Sequence, residues 1–183
     1  MSLTSPSGAL GRRRFLALSS AATAAILLPR RVSATPSSRS LAFLNTHTDE
    51  RLSVVYWENG RYEPEALHGI DLILRDVFTG DVKPIDPDLL DLLHELRGGL
   101  GTMAPYHVIC GYRSPATNER LRAQSGGVAK HSLHLEARAA DIRLPGIPLE
   151  DLHRAALGMR RGGVGYYPAS DFVHVDTGLV RSW

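Results

Sequence analysis

Cysteine is almost absent from this chain, because Cys110 is the only one among 183 residues. No internal disulfide is therefore possible. Cys110 lies in the apolar run YHVIC, where we expect a small buried hydrophobic side chain in preference to a catalytic nucleophile. The sequence also lacks a paired-cysteine zinc motif, a Gly-x-Ser-x-Gly motif and a glycine-rich phosphate loop, which excludes sites built on those patterns.

Long apolar runs are lacking as well. Residues 15–28 are apolar but fall short of the roughly 20 residues that a transmembrane helix needs. They follow paired arginines at 12–13 and precede small residues that suit cleavage, a pattern that resembles a twin-arginine export signal. We therefore predict a signal peptide over 1–34, a polar linker over 35–40 and a periplasmic location. The alternative is a cytosolic protein with a disordered basic tail.

Excess charge of one sign is also missing, since the formal net charge is only +2. More than this excess comes from six arginines in or near the signal segment, namely Arg12, Arg13, Arg14, Arg30, Arg31 and Arg39. Without them the rest of the chain carries about −4. The composition therefore gives no reason to expect a nucleic-acid partner.

From residue 41 onward, helix and hairpin patterns alternate. Asn59-Gly60 between two apolar stretches is a hairpin signal. Helical spacing or capping residues predict helices over 63–78, 85–99, 114–127 and 147–163, and strands are predicted over 106–112, 137–144, 163–168 and 171–178. Repeated strand-helix-strand units are not indicated. We predict one compact α+β domain over 41–183, in which helices pack on a mixed or antiparallel sheet.

Three residues are suited to hold a metal ion: His134, Asp141 and His174. Catalytic zinc takes imidazole nitrogen and carboxylate oxygen from three protein ligands and leaves a fourth position for water. In the predicted final strand, alternation places Phe172, His174 and Asp176 on one face. The spacing alone is weakly specific, because a single histidine is more often a structural core or surface residue.

Three phrases in this order make the pattern more specific: GYRSPATN, SLHLEARAAD and GVGYYPASDFVHVDTGLVRSW. Together they closely resemble the zinc peptidoglycan peptidases of the D-Ala-D-Ala carboxypeptidase superfamily, and within it the murein endopeptidases. The resemblance covers residues 41–183. It implies a Zn²⁺ cofactor held by His134, Asp141 and His174. The chain departs from the family phrase at Ala137, where the family has glycine, and alanine would strain the loop if that position needs a positive φ.

The resemblance also implies catalytic groups. The superfamily often places a proton-accepting carboxylate three residues before the last histidine ligand, and Asp171 stands there. Asp176 competes for that role, with support of a ligand or capping of a turn as its alternative function. Arg113, in GYRSP, matches the family arginine that binds the substrate carboxylate or the oxyanion. Its alternative role is to organise the cap at Ser114.

Three further residues are candidates for binding substrate or supporting the ligands. Ser132 is expected to bond substrate or to fix the ligand loop. His131 is expected either to line the cleft or to be incidental. Tyr166 is a candidate for the cleft wall, as is Tyr167, although paired strand tyrosines are more often half-buried packing residues.

The predicted function is zinc-dependent hydrolysis of amide bonds in peptidoglycan peptide crosslinks by a monomeric enzyme. One alternative is a D,D- or L,D-carboxypeptidase that trims stem peptides. Another is a catalytically silent cell-wall-binding domain, which should lack a ligand or the base. A structural zinc domain would need a fourth protein ligand, and His131 is the only nearby candidate.

Overall fold

The described part of the computed structural model, residues 37–124 and 128–183, contains four helices and eight strands. The elements are β1 Ser38–Asn45, β2 Arg51–Glu58, β3 Arg61–Tyr62, α1 Pro64–Ile73, α2 Pro87–Gly99, β4 Tyr106–Cys110, α3 Pro115–Gln124, β5 Ala139–Arg143, α4 Leu149–Met159, β6 Gly163–Tyr167, β7 Phe172–Asp176 and β8 Arg181–Ser182. The proposed signal segment and the predicted helix end at 126–127 lie outside the described residues.

All eight strands form one mixed sheet with the order β3-β2-β1-β4-β5-β7-β6-β8. The β1–β4 and β6–β8 pairs are parallel, and the other neighbours are antiparallel. The predicted α+β class with a mixed sheet is confirmed. None of the described helices has the length and apolar content needed to cross a membrane.

The hydrophobic core lies on one face of this sheet. Buried residues of α1, α2 and α4 pack there against alternate strand residues, including Ile142 of β5 with Val173 and Val175 of β7. Because successive strand side chains point to opposite faces, Asp141 and His174 lie on the other face. α3 buries the polar residues Thr117 and Asn118, and none of its residues belongs to the core cluster. The face opposite the core is therefore available for a polar site.

Local signals account for several of the element ends. The Asp86 side chain accepts a hydrogen bond from the Asp88 N–H at 3.0 Å and caps α2. Ser114 Oγ accepts from the Thr117 N–H at 3.2 Å at the start of α3. Asn59 and Gly60, with φ of 51° and 90°, form the predicted turn between β2 and β3.

Two boundaries differ from the prediction. α1 ends at Ile73, whereas its apolar spacing predicted a helix to residue 78. The chain turns there because Asp76 binds backbone N–H groups outside the helix. At the other end, β1 begins at Ser38, inside the predicted 35–40 linker, because Ser38 and its neighbours pair with β2. Polar composition alone did not indicate that pairing.

Asp76 ties the turn after α1 to the loop after β4. Its side chain is buried at 2% exposure and accepts from the Phe78 N–H at 2.9 Å and the Ser114 N–H at 2.8 Å. Burial alone would raise the pKa of Asp76, but the hydrogen bonds from Ser114 and Phe78 outweigh it and lower that pKa to about 2. A charged carboxylate thus organises the loop that carries Arg113.

Replacing this carboxylate, as in Asp76→Asn, is expected to reduce the loss of stability in acid. The folded-state pKa lies below the usual 3.8, so the stabilisation is present above about pH 4 and is lost as pH falls toward about 2. The displacement corresponds to roughly 2 kcal/mol. Urea unfolding at pH 6 and pH 2.5 should show a smaller drop for the variant than for the natural protein. An equal drop in both would contradict this role.

Candidate metal centre

Three potential ligand atoms converge on the polar face of the sheet. His134 Nε2 lies 3.2 Å from Asp141 Oδ1 and 3.2 Å from His174 Nδ1. His174 Nδ1 lies 2.8 Å from Asp141 Oδ1. All three residues are buried. The structure thus brings together the three predicted ligands, which are separated by up to 40 residues in the chain.

Strand register places two of these side chains. Asp141 of β5 is directly opposite His174 of β7 in the antiparallel pair, so both side chains leave the same face side by side. His134 comes from a short 3-10 turn, Leu133–Glu136, that is capped by the Ser132 side chain. The Ser132 hydroxyl accepts from the His134 N–H at 3.4 Å, which gives this serine a role in shaping the ligand turn.

Ala137 ends this turn in the left-handed region, with φ of 57°. The expected strain at this position is therefore present, because an L residue with a Cβ disfavours that conformation. The Ala137 methyl is fully buried in the hydrophobic core. Burial of a methyl group contributes roughly 0.8 kcal/mol, which offsets much of the strain. Alanine is thus accommodated at this position.

Neighbouring acceptors orient both imidazole rings. His134 Nδ1 lies 2.7 Å from the Gly111 carbonyl oxygen, and His174 Nε2 lies 3.1 Å from Asp176 Oδ2. Since these oxygens only accept, the facing nitrogens carry the ring protons. The other nitrogens, His134 Nε2 and His174 Nδ1, then present lone pairs toward each other and toward the Asp141 carboxylate. Three electron-rich atoms at 2.8–3.2 Å repel one another unless a cation lies between them.

The pKa shifts of His134 and Asp141 indicate that the site favours a positive charge. Burial would lower the pKa of His134, but the nearby Asp141 charge outweighs it and raises that pKa well above the usual range. Burial would raise the pKa of Asp141, but His134 and His174 hold it below the usual range. A proton on His134 relieves the repulsion when no metal ion is bound, and a bound divalent ion would displace that proton.

Asp176 supports the site by binding His174. It is fully buried, and its Oδ1 accepts from the N–H groups of Gly163 at 2.9 Å and Gly178 at 2.8 Å. Its Oδ2 accepts from His174 and, at 2.6 Å, from Arg181. Burial alone would raise the pKa of Asp176, but these hydrogen bonds outweigh it and lower that pKa. With both oxygens engaged, Asp176 is placed to orient His174 rather than to take a proton from water.

Asp171 lies in the turn before β7, with φ of 53° and a side chain that is 63% exposed. Its carboxylate binds Arg143 Nη1 at 2.8 Å. Together with His107 and Arg143 it lines a separate cavity along β4 and β5. The structure therefore does not bring the Asp171 carboxylate into contact with the ligand atoms in this conformation.

Arg113 and Cys110 lie beside the ligands on the β4 side. Arg113 Nη2 is 3.9 Å from Asp141 Oδ2 and 3.5 Å from Cys110 Sγ, while Arg113 Nε is buried without a partner among the described residues. Cys110 is directly opposite Asp141 in the β4–β5 pair. Its Sγ lies within 4.8 Å of the ligand atoms of His134 and Asp141. The single cysteine, expected to be a buried packing residue, is half-buried and borders the centre.

A cavity of about 390 Å³ opens from the ligands toward β6, β7 and β8. His131 and Ser132 line it, as do Tyr167 and Trp183. The Trp183 indole, which sequence patterns did not indicate, lies 5.2 Å from the His174 ring and donates to the Tyr167 hydroxyl at 2.7 Å. Register explains the position of Tyr167, because Gly165 pairs with His174 and Tyr167 follows two positions later on the same face.

Tyr166 lies outside the cleft, and its prediction as a wall residue requires correction. Its ring stacks on His153 of α4 at 4.5 Å, on the core side of the sheet. The physical reason is strand alternation, since adjacent residues of β6 point to opposite faces. Of the tyrosine pair, Tyr167 faces the ligands and Tyr166 packs beneath them.

Comparison with known proteins identifies the family. A family model described as peptidoglycan L,D-endopeptidase MepK matches residues 33–183. The chain belongs to the MepK family. The Escherichia coli K12 protein named peptidoglycan L,D-endopeptidase MepK is 45% identical over 175 residues, which cover 94% of this chain and 96% of that protein.

A second MepK relative extends the likeness. The probable peptidoglycan L,D-endopeptidase MepK of Haemophilus influenzae is 43% identical over 176 residues, covering 94% of this chain and 95% of that protein. No solved structure gives a significant match. Membership in a peptidase family confirms the predicted enzyme class, a hydrolase.

Loss of one ligand is expected to remove the bound metal. His134→Ala and Asp141→Ala each delete one of three donors, so metal affinity should fall by more than the 10–100-fold typical of a supporting group. Elemental analysis and competition with a chromogenic chelator measure this. His153→Ala, on the core side of the sheet, is the matched control and should keep its metal. Full metal content in either ligand variant would overturn the assignment.

Proposed function

We propose that this protein is an exported, zinc-dependent endopeptidase that hydrolyses amide bonds in the peptide crosslinks of peptidoglycan. The observation that carries the proposal is the convergence of His134 Nε2, Asp141 Oδ1 and His174 Nδ1 within 3.2 Å on the polar face of the sheet. Membership in the MepK family, whose named relatives are peptidoglycan L,D-endopeptidases, supports the substrate class.

Zinc fits this donor set better than magnesium or calcium does. Tetrahedral zinc with bonds of about 2.0–2.1 Å separates neighbouring ligand atoms by about 3.3 Å. The observed separations of 2.8–3.2 Å are close to that value. Two imidazoles and one carboxylate suit zinc, whereas magnesium and calcium prefer oxygen ligands. When bound, zinc supplies a water molecule of lowered pKa and polarises the scissile carbonyl.

Arg113 is placed to bind an oxygen of the substrate. Its guanidinium borders the ligands, and its buried Nε has no partner among the described residues. Arg113 lines the cavity beside the ligands, and its Nη2 lies 3.9 Å from Asp141 Oδ2. We assign Arg113 the stabilisation of negative charge that develops on the carbonyl oxygen or of a nearby substrate carboxylate.

The proton acceptor in this proposal is Asp171. Asp176 has no free oxygen, as its four hydrogen-bonding partners show. The bond from Arg143 to Asp171 joins two exposed side chains, and such pairs contribute only about 0–1 kcal/mol. Breaking this ion pair to rotate Asp171 toward the cleft would therefore cost little free energy. The acceptor would take the proton of the attacking water and pass it to the leaving amine.

Open space on both sides of the ligands favours an endopeptidase over a carboxypeptidase. One cavity extends toward β6–β8, and a second lies toward β1 and β4; Arg113, Asp141 and Phe172 line both. A peptide lying across the sheet can thus continue beyond the reacting bond in either direction. A silent wall-binding domain is disfavoured because all three ligand positions are filled by competent donors.

Export remains a proposal from sequence. The paired arginines and short apolar run support a twin-arginine signal and a periplasmic location, where peptidoglycan is accessible. A monomer remains the proposed oligomeric state.

Digestion of crosslinked peptidoglycan tests the function. The mature domain loaded with zinc should convert crosslinked dimeric peptides to monomers, and a chelator should prevent this. Chromatography with mass spectrometry identifies the bond from the products. Removal of only a terminal residue would establish a carboxypeptidase instead. An unchanged digest from folded, zinc-loaded protein would refute the hydrolase assignment for this substrate.

Asp171→Asn is expected to lower kcat by about 10²–10⁴-fold while leaving the zinc content unchanged. Arg143→Gln is the matched control, because it removes the ion-pair partner but keeps the acceptor; its kcat should stay within a few-fold of the natural value. His131, which lines the ligand cavity, is the other titratable candidate. If His131→Gln abolishes turnover and Asp171→Asn does not, the acceptor is His131.

A further inference from the structure

A second cavity, of about 240 Å³, lies on the β1–β4 side of the ligands. Its walls include Val108 of β4, Leu121 of α3 and the turn that carries Val77 and Phe78. Arg113 and Asp141 line its end nearest the proposed metal site. The volume is below the roughly 300–1,000 Å³ of sites for drug-sized ligands, so it suits one amino-acid residue rather than a whole peptide.

Phe78 forms an exposed aromatic rim on this cavity. It is 56% exposed, although its neighbours are positioned to hold it. The Arg120 guanidinium lies 4.3 Å from the ring centre, and the His47 ring is 5.9 Å away. The turn beneath is fixed by the buried Asp76 carboxylate, which accepts from the Phe78 N–H. An exposed ring on a rigid turn beside a cleft is suited to contact a ligand.

Most charges around this cavity are paired, including Arg113 with Asp141 at 3.9 Å. The Asp76 carboxylate is engaged by backbone N–H groups, and Glu50 pairs with Arg75 at 2.9 Å. Within residues 37–124 and 128–183, no carboxylate pairs with Arg120, whose described contact is the Phe78 ring. The cavity therefore has largely apolar walls, and Arg120 lies against its Phe78 rim. Together these complement an aliphatic group that ends in a carboxylate.

We propose that this cavity is a substrate subsite for one peptide arm of the crosslink. The apolar walls and the Phe78 ring take the aliphatic part of a residue next to the scissile amide. Arg120 binds a free carboxylate carried by that arm. The inference rests on the proposed function, and it names how one side of the substrate is recognised.

Kinetics of rim variants test the subsite. Phe78→Ala and Arg120→Gln should each raise KM for a soluble crosslinked dimeric muropeptide by roughly threefold to tenfold, with kcat within about twofold, because they touch binding rather than the reacting atoms. Met103→Ala and Arg154→Gln are matched controls, because both side chains are exposed and neither lines the cavity or has a described contact with Phe78. Their KM should not change.

Chemical modification of the substrate provides an independent test. The natural protein should have a higher KM for the same dimer with its free carboxylates amidated. The increase should be at least as large as the one that Arg120→Gln causes with the unmodified dimer. Arg120→Gln should then respond less to amidation than the natural protein does, whereas Arg154→Gln should respond like the natural protein. Equal sensitivity of Arg120→Gln and the natural protein would show that Arg120 does not bind the carboxylate.

Failure of the subsite and failure of the function give different results. If the natural protein cleaves the dimer and both rim variants have unchanged KM, the subsite is wrong and the function stands. If zinc-loaded natural protein does not cleave the dimer, the function is wrong. Calorimetric binding of the dimer to the natural protein and the rim variants then decides the subsite: weaker binding by the variants supports it, and equal or absent binding overturns it.

Discussion

The antiparallel pairing of β5 with β7 is the constraint on which the site depends. It sets Asp141 directly beside His174, so that a carboxylate oxygen and an imidazole nitrogen lie 2.8 Å apart on the polar face. A slip of β7 by one residue would turn His174 into the hydrophobic core, where its neighbour Val173 now packs against Ile142 of β5. Burial of those apolar residues therefore holds the polar site in register.

Loops supply His134 and hold the site together. His134 is delivered by a turn that is tied to the loop after β4, through its ring to the Gly111 carbonyl and through its own carbonyl to the Arg113 N–H at 3.1 Å. That loop is in turn tied to the turn after α1 by Asp76. Asp176 orients His174 from the opposite side. Each imidazole thus has a supporting contact on one ring nitrogen that leaves the other nitrogen directed at the Asp141 carboxylate.

Concave space on both sides of that point connects geometry with the proposed reaction. Three of the site's residues, Arg113, Asp141 and Phe172, border both cavities, so a bound peptide would pass over the ligands rather than end at them. The two sides differ in chemistry. One is walled by aromatic residues including Trp183, and the other is largely apolar, with Arg120 against its Phe78 rim. Such asymmetry suits a crosslink whose two arms are not equivalent.

Local sequence determined the elements whose signals are local. The cap at Asp86, the hairpin turn at Asn59-Gly60 and the alternation in β7 act over a few residues and appear in the structure as predicted. The three ligands were also predicted, although by likeness to a family, since spacing alone was weakly specific. Their convergence depends on a pairing between distant strands.

The tertiary structure alone decided the remaining features. It placed Tyr167 and Trp183 at the cleft and Tyr166 in the packing beneath, because facing depends on register. It brought Cys110 opposite Asp141. It also ended α1 early, because long-range bonds of Asp76 outweigh helical spacing. Composition and periodicity describe what a segment prefers, whereas the contacts between segments determine which side chains meet.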